Sequence, residues 1–176
     1  MGTATNQNRR SVAELNLLGQ AAFTELVGSI FEHSPWIAAE TWNRRPFASR
    51  DQLHAKLCAT VRQAGQEKQL ALIRAHPDLV GRAALAATLT TASTQEQASA
   101  GLNQLSPDEI AQFQKHNATY QEKFGFPFVI CARLNRKEAI LAGFAQRLQN
   151  TSAQEIQTAV EEIFKITSLR LADIFP

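Results

Sequence analysis

Phe126-Pro127-Phe128-Val129-Ile130-Cys131-Ala132 is the one run in the chain whose aromatic and β-branched content favours a strand. The other apolar segments repeat at helical spacing, so no second strand is available to pair with it. An unpaired strand leaves its backbone amides and carbonyls unmet, and the run is therefore expected to lie extended inside a shell of helices. Two outlets remain for those groups: helix ends and water, with the run acting as plain core, or a bound ligand. The expected fold class is all-α, a single domain of about seven to nine helices with one short extended apolar segment near residues 126-132.

Upstream of the run, Ser106-Pro107-Asp108-Glu109 combines a cap, proline at the first helical position and an acidic first turn. The helix it opens turns Ile110, Phe113, Asn117, Tyr120 and Phe124 inward and stops at Gly125. Downstream, Asn135 is expected to begin a helix through Ile140, Leu141, Phe144 and Leu148, and Ser152 with Glu155 to cap the last one. That last helix carries an apolar stripe at Ile156, Val160, Ile163, Thr167 and Ile174, with Arg170 on the same stripe. A guanidinium there is paired, hydrogen-bonded, wetted by a cavity, or snorkelling at the stripe's edge.

Towards the N-terminus, Ser93 and Glu96 stand at capping-box spacing ahead of Ala98 to Leu105, and residues 79–89 have the alanine and leucine content of a helix. A helix from Gln66 to Ile73 ends at the corner Ala75-His76-Pro77-Asp78-Leu79, since proline disfavours helical geometry at the residue before it. Ser49 caps a helix through Leu53, Leu57 and Val61 that Gly65 ends. Ser11 with Glu14 opens a first helix reaching towards His33, with Leu15, Leu18, Ala22, Leu26 and Ile30 on its apolar face; Arg44-Arg45 reads as a solvated corner. Residues 1–10 read as a flexible tail and 11–176 as one domain.

Composition narrows the function classes. Hydrophobic residues at 44% against charged residues at 19% exclude a disordered chain. The 18 lysines and arginines nearly balance the 16 acidic residues and are scattered, so no basic stripe for nucleic acid or a membrane surface is expected. Cys58 and Cys131 lie far apart without a CxxC pattern, which favours a reducing compartment; with no membrane-length apolar run, signal peptide or peroxisomal tripeptide, a cytoplasmic protein is expected. His33, His54, His76 and His116 offer no pair at ligand spacing, so no metal is expected.

His76 at its corner has two readings: a helix-terminal side chain satisfied by the last carbonyls, or an imidazole displayed for proton transfer. His76-Pro77-Asp78-Leu79, Ser93-Thr94-Gln95-Glu96-Gln97 continuing to Ala100-Gly101-Leu102, Lys123-Phe124-Gly125-Phe126-Pro127-Phe128, and Lys165-Ile166-Thr167-Ser168-Leu169-Arg170-Leu171 occur in order from about Leu15 to Ile174. In these four motifs the chain resembles the 2-oxo-4-hydroxy-4-carboxy-5-ureidoimidazoline (OHCU) decarboxylase family. The resemblance implies an all-helical, cofactor-independent and usually homodimeric enzyme that releases CO2 from OHCU to give (S)-allantoin in urate degradation. It implies that His76 is the catalytic acid/base beside Pro77, and that Ser93, Thr94, Gln95, Glu96 and Gln97 form a polar binding loop with Glu96 and Gln97 facing the substrate. It also implies that Phe128, Val129, Ile130, Cys131 and Ala132 cradle the ring and ureido group, and that Arg170 grips an oxygen or carboxylate. Glu96 is then expected to orient the imidazole or a substrate N–H, and Phe126 and Phe128 to form an apolar wall.

A competing class is a non-catalytic helical module that holds a small anionic or ureide ligand at the His76 corner and the Arg170 stripe; ligand-dependent CO2 release separates the two. Hydrolysis of a cyclic ureide is a weaker alternative, because neither a metal spacing nor a GxSxG elbow is present.

Overall fold

The computed structural model describes residues 11–81 and 89–175, and nine α-helices occur among them. These are α1 (Val12–Asn16), α2 (Gln20–Gly28), α3 (Trp36–Thr41), α4 (Arg50–Gln63), α5 (Gly65–Arg74), α6 (Thr91–Ser99), α7 (Pro107–Phe124), α8 (Lys137–Arg147) and α9 (Ser152–Ile174), with short 3-10 turns at Trp42–Arg44 and Ala132–Leu134. The described residues contain no strand, and none of their helices is long and apolar enough to cross a membrane. The helix expected over 79–89 falls largely on 82–88, outside the described residues; residues 79–81 form a turn closed by Gly81 N donating to the Asp78 carbonyl at 3.3 Å.

The chain groups into two compact units, one of residues up to Gly65 together with Thr167 onward, the other Gln66–Ile166. In the first, the expected opening helix is two. Ser11 and Glu14 do form the capping box, but α1 stops at Asn16 and Gly19 caps α2. The break persists because its loose carbonyls find donors: Arg45 Nη1 reaches both Asn16 O and Leu18 O at 3.0 Å, and Trp42 Nε1 also reaches Leu18 O at 3.0 Å. Arg45 is therefore a half-buried clamp stacked 3.8 Å over the Trp42 ring, not a solvated corner. With the register reset, Phe23, Val27 and Ile30 are the buried positions and Ala22 is exposed. Ser49 caps α4 as expected, its hydroxyl accepting from Gln52 N at 3.1 Å.

In the second unit α7 follows its sequence signals closely. Ser106 and Glu109 form a capping box, Pro107 is the first helical residue, and Gly125 ends the helix at φ +76°, a conformation that costs glycine little. The inward face of α7 meets the extended run in an aromatic cluster centred on Tyr120. Its ring lies edge-on to Phe126 (6.0 Å), Phe128 (5.2 Å) and Phe144 (6.2 Å), and Phe128 stacks on Phe144 at 3.9 Å. The rings of Phe126 and Phe128, expected as a ligand wall, are thus about 1% exposed and committed to the core. Burial of these rings holds the unpaired run in place, each such side chain contributing on the order of 1.5–3 kcal/mol.

Two caps sit in a different frame from the one expected. Thr151 and Gln154, not Ser152 and Glu155, exchange hydrogen bonds at the start of α9. Thr90, not Ser93, caps α6, its Oγ1 accepting from Ser93 N at 3.2 Å, so Ser93 and Glu96 lie within the helix and the chain leaves it after Ser99. Similarly α8 begins at Lys137, because Asn135 turns its side chain back to the Cys131 carbonyl at 2.9 Å. Thr90→Ala is expected to cost about 1 kcal/mol in urea unfolding, whereas Glu96→Gln removes no cap bond.

Candidate active site

The last turn of α5 delivers the corner. Ala75 N donates to Ala71 O and His76 N to Ile73 O, and Pro77 then carries the chain away. His76 is 7% exposed, with Nδ1 2.9 Å from the Leu72 carbonyl oxygen. A carbonyl only accepts, so Nδ1 carries the hydrogen and the neutral ring keeps its lone pair on Nε2. The helix-terminal reading of His76 and the proton-transfer reading are therefore compatible: the carbonyl bond fixes the tautomer that makes Nε2 basic.

The chain after Pro77 is held tightly. Val80 is buried with φ +53°, a conformation that costs a β-branched residue about 1–3 kcal/mol unless its surroundings impose it. Here Val80 N donates to Gln97 Oε1 at 3.2 Å, and Asn117 Nδ2 donates to the Leu79 carbonyl at 2.7 Å. Because Gln97 Oε1 accepts from Val80, Nε2 is the end of its amide left to donate elsewhere.

On α6, Ser93 and Gln97 are one turn apart and buried, Glu96 shares their side and is half-buried, and Thr94 and Gln95 face outward. The helix packs on the 3-10 turn Ala132–Leu134. Burial first, then the carboxylates of Glu162 and Glu96, hold the Cys131 thiol above its ordinary pKa. α6 thus meets the corner through Gln97 and the end of the run through the 3-10 turn.

Within the run, the engaged backbone groups lie from Val129 onward. Val129 O accepts from Arg147 Nη1 (2.6 Å), Cys131 N donates to Glu162 Oε2 (2.8 Å), and Cys131 O accepts from Leu134 N (3.1 Å) as well as Asn135. Half-buried Ile130 has neither its N–H nor its C=O hydrogen-bonded among the described residues, nor has Val129 its N–H. These are among the groups a ligand can use.

Arg147 belongs to a buried cluster that the helical pattern did not single out. Its Nε donates to Glu155 Oε1 at 2.6 Å, its guanidinium lies 4.3 Å over the Phe128 ring, and Glu155 also accepts from Tyr120 OH and from Asn150 Nδ2 (2.7 Å). Glu155 is fully buried, freed for this role by the shifted cap. The available signal was the position of Arg147, three residues after Phe144 on the inward face of α8, the same signature that singled out Arg170.

Arg170 lies in the other unit. It is 6% exposed, and its Nη1 donates to Glu32 Oε2 at 3.0 Å and to Ile30 O at 3.2 Å. It is a buried, paired guanidinium and does not snorkel. Cys58 and Cys131 are thiols outside any disulfide, and among the described residues no group of three or more His, Cys, Asp or Glu side chains is placed to hold a metal ion.

A family model described as OHCU decarboxylase matches residues 16–172. The chain is 44% identical over 161 residues to 2-oxo-4-hydroxy-4-carboxy-5-ureidoimidazoline decarboxylase of Amia calva, covering 92% of each. It is 41% identical to the protein of the same name from Haloferax volcanii, covering 94% of this chain and 96% of that one. Among solved structures, a crystal structure of (S)-allantoin synthase superposes with a TM-score of 0.76 at 27% identity, over 94% of this chain; the chain spans about half of that one, 54%.

Proposed function

Because this chain belongs to the OHCU decarboxylase family, we propose that it converts OHCU to (S)-allantoin and CO2 in urate degradation, with His76 as general acid/base. The observation that carries the residue assignment is the Nδ1 bond to the Leu72 carbonyl, which leaves a basic Nε2 on a fixed ring at the motif the family resemblance marks.

The substrate carries a carboxylate and a hydroxyl on one ring carbon, next to a ring C=N. As the carboxylate leaves as CO2, its bonding pair passes into that C=N, which serves as the electron sink, so the proposal invokes no metal and no pyridoxal. Nε2 of His76 takes the hydroxyl proton, while one proton goes to the ring nitrogen that received the pair and one to the carbon bearing the ureido group, so the reaction consumes one proton overall. The protein's contribution is to hold the carboxylate perpendicular to the conjugated ring and to deliver the proton to one face.

Gln97 Nε2 donates to a substrate oxygen, the Ile130 N–H and C=O bracket the ring or ureido group, and Glu96 orients the imidazole or a substrate N–H. Pro77, Ser93 and the neighbouring residues of the run shape the pocket. The role of holding the carboxylate or an electron-rich oxygen goes to Arg170 on the strength of the resemblance alone. In the same reading residues 11–176 act as one catalytic domain, in a cytoplasmic homodimer.

The test supplies OHCU freshly generated from urate and follows CO2 release together with circular dichroism. The expected result is accelerated CO2 release with the dichroism of (S)-allantoin, where the spontaneous reaction gives racemate. Binding of allantoin without accelerated CO2 release would leave a ligand-binding module instead.

A further inference from the structure

We infer that Asn117 is a positioning residue for His76: with Gln97 it grips both ends of the Leu79–Val80 peptide and so fixes the turn that ends the histidine corner. The inference rests on the decarboxylase reading for its kinetic readout only.

Three observations carry it. Asn117 Nδ2 donates to the Leu79 carbonyl at 2.7 Å while Gln97 Oε1 accepts from Val80 N at 3.2 Å, so one peptide group is fastened from α7 and from α6 at once. Asn117 is 7% exposed, and its Oδ1 is buried with no hydrogen-bond partner among the described residues. A buried amide oxygen left unmet is costly, so an apolar residue of similar size would serve stability as well; what the asparagine adds is its single bond to Leu79. Third, the fastened peptide leads into the left-handed Val80, and at the next residue a Cβ on Gly81 would stand 2.5 Å from Asp78 Cβ. The turn is thus closed on Asp78 in a conformation that valine leaves unless it is held. When the Leu79 carbonyl is released, Val80 returns to negative φ, the peptide rotates, and the chain running back through Asp78 and Pro77 re-aims His76.

The test compares wild type with Asn117→Leu, which removes both polar atoms, and Asn117→Asp, which keeps the shape and removes the donor. Histidine ring resonances are recorded by NMR without substrate, His76 being assigned from its loss in His76→Asn. The His76 signals are expected to shift in both Asn117 variants. Each variant is expected to lose about 10- to 100-fold in kcat with KM changed less than about 3-fold. Val80→Gly removes the penalty on the left-handed conformation, so the kcat loss from Asn117→Leu is expected to be at least about 3-fold smaller in that background. Unmoved His76 ring signals in both variants, or an equal kcat loss in both backgrounds, would overturn the inference. Wild-type turnover bears on the decarboxylase reading alone, and the ring signals need no turnover, so the two fail separately.

Discussion

His76→Asn is expected to lower kcat for CO2 release about 10²- to 10⁴-fold with the protein still folded, the range that a positioned proton-transfer group supplies. The choice of asparagine follows from the two ends of the ring. Its amide N–H can replace Nδ1–H as donor to the Leu72 carbonyl, but nothing replaces the lone pair of Nε2. His76→Ala removes both, and is expected to lose a further increment of stability of about 1 kcal/mol with the Leu72 bond. The measurement is the initial rate of (S)-allantoin dichroism, with urea midpoints run alongside. Undiminished stereospecific turnover in His76→Asn removes His76 from the proton transfer. An equal collapse of urea midpoint and rate would assign it to the helix end.

The largest stability effect is expected at Arg147. Removing its guanidinium leaves the Glu155 carboxylate fully buried against Tyr120 and Asn150 without its charge partner. Breaking one side of such a pair costs about 3–5 kcal/mol, a large share of the roughly 5–15 kcal/mol that holds a typical domain together. Arg147→Met, which keeps the aliphatic stem over Phe128, is therefore expected to shift the urea midpoint strongly downward. Replacing both partners, Arg147→Met with Glu155→Leu, is expected to cost less than Arg147→Met alone, because no buried charge is then stranded. If the double variant is as unstable as the single one, the loss comes from packing around Phe128 and the freed Val129 carbonyl and not from the ion pair.

What the sequence made legible divides along physical lines. Signals that act within one turn of helix were readable: the Ser106 capping box with Pro107, the left-handed Gly125 and the Ser49 cap all stand where their chemistry places them. The absence of a second strand predicted the extended run, and the chain's four motifs predicted the family. Ambiguity entered where two frames satisfy the same local rule. Thr151 with Gln154 and Ser152 with Glu155 both fit a capping box, and Thr90 competes with Ser93 in the same way; only packing decides, since Glu155 is drawn into the core by Arg147. Contacts between distant residues were not readable at all. The Glu32 partner of Arg170 lies 138 residues away, Arg45 closes a helix end from 27 residues off, and the helical pattern placed Asn117 inward without indicating that it would hold the Leu79 carbonyl. Local conformation at Val80 was hidden for a related reason, because valine's own preferences oppose it and two side-chain amides from other helices impose it.

The cluster under the extended run also has an optical consequence. Tyr120 is the chain's 1 tyrosine, and burial, followed by its bond to Glu155, pushes its hydroxyl above the ordinary phenol range. An exposed phenol ionises at about pH 10, with a rise in near-ultraviolet absorbance; this one keeps its proton there as long as the fold is closed. Tyrosinate absorbance at about pH 10 therefore reports opening of the Tyr120–Glu155–Arg147 cluster, and the protein carries its own unlabelled dye at the support of its candidate active site.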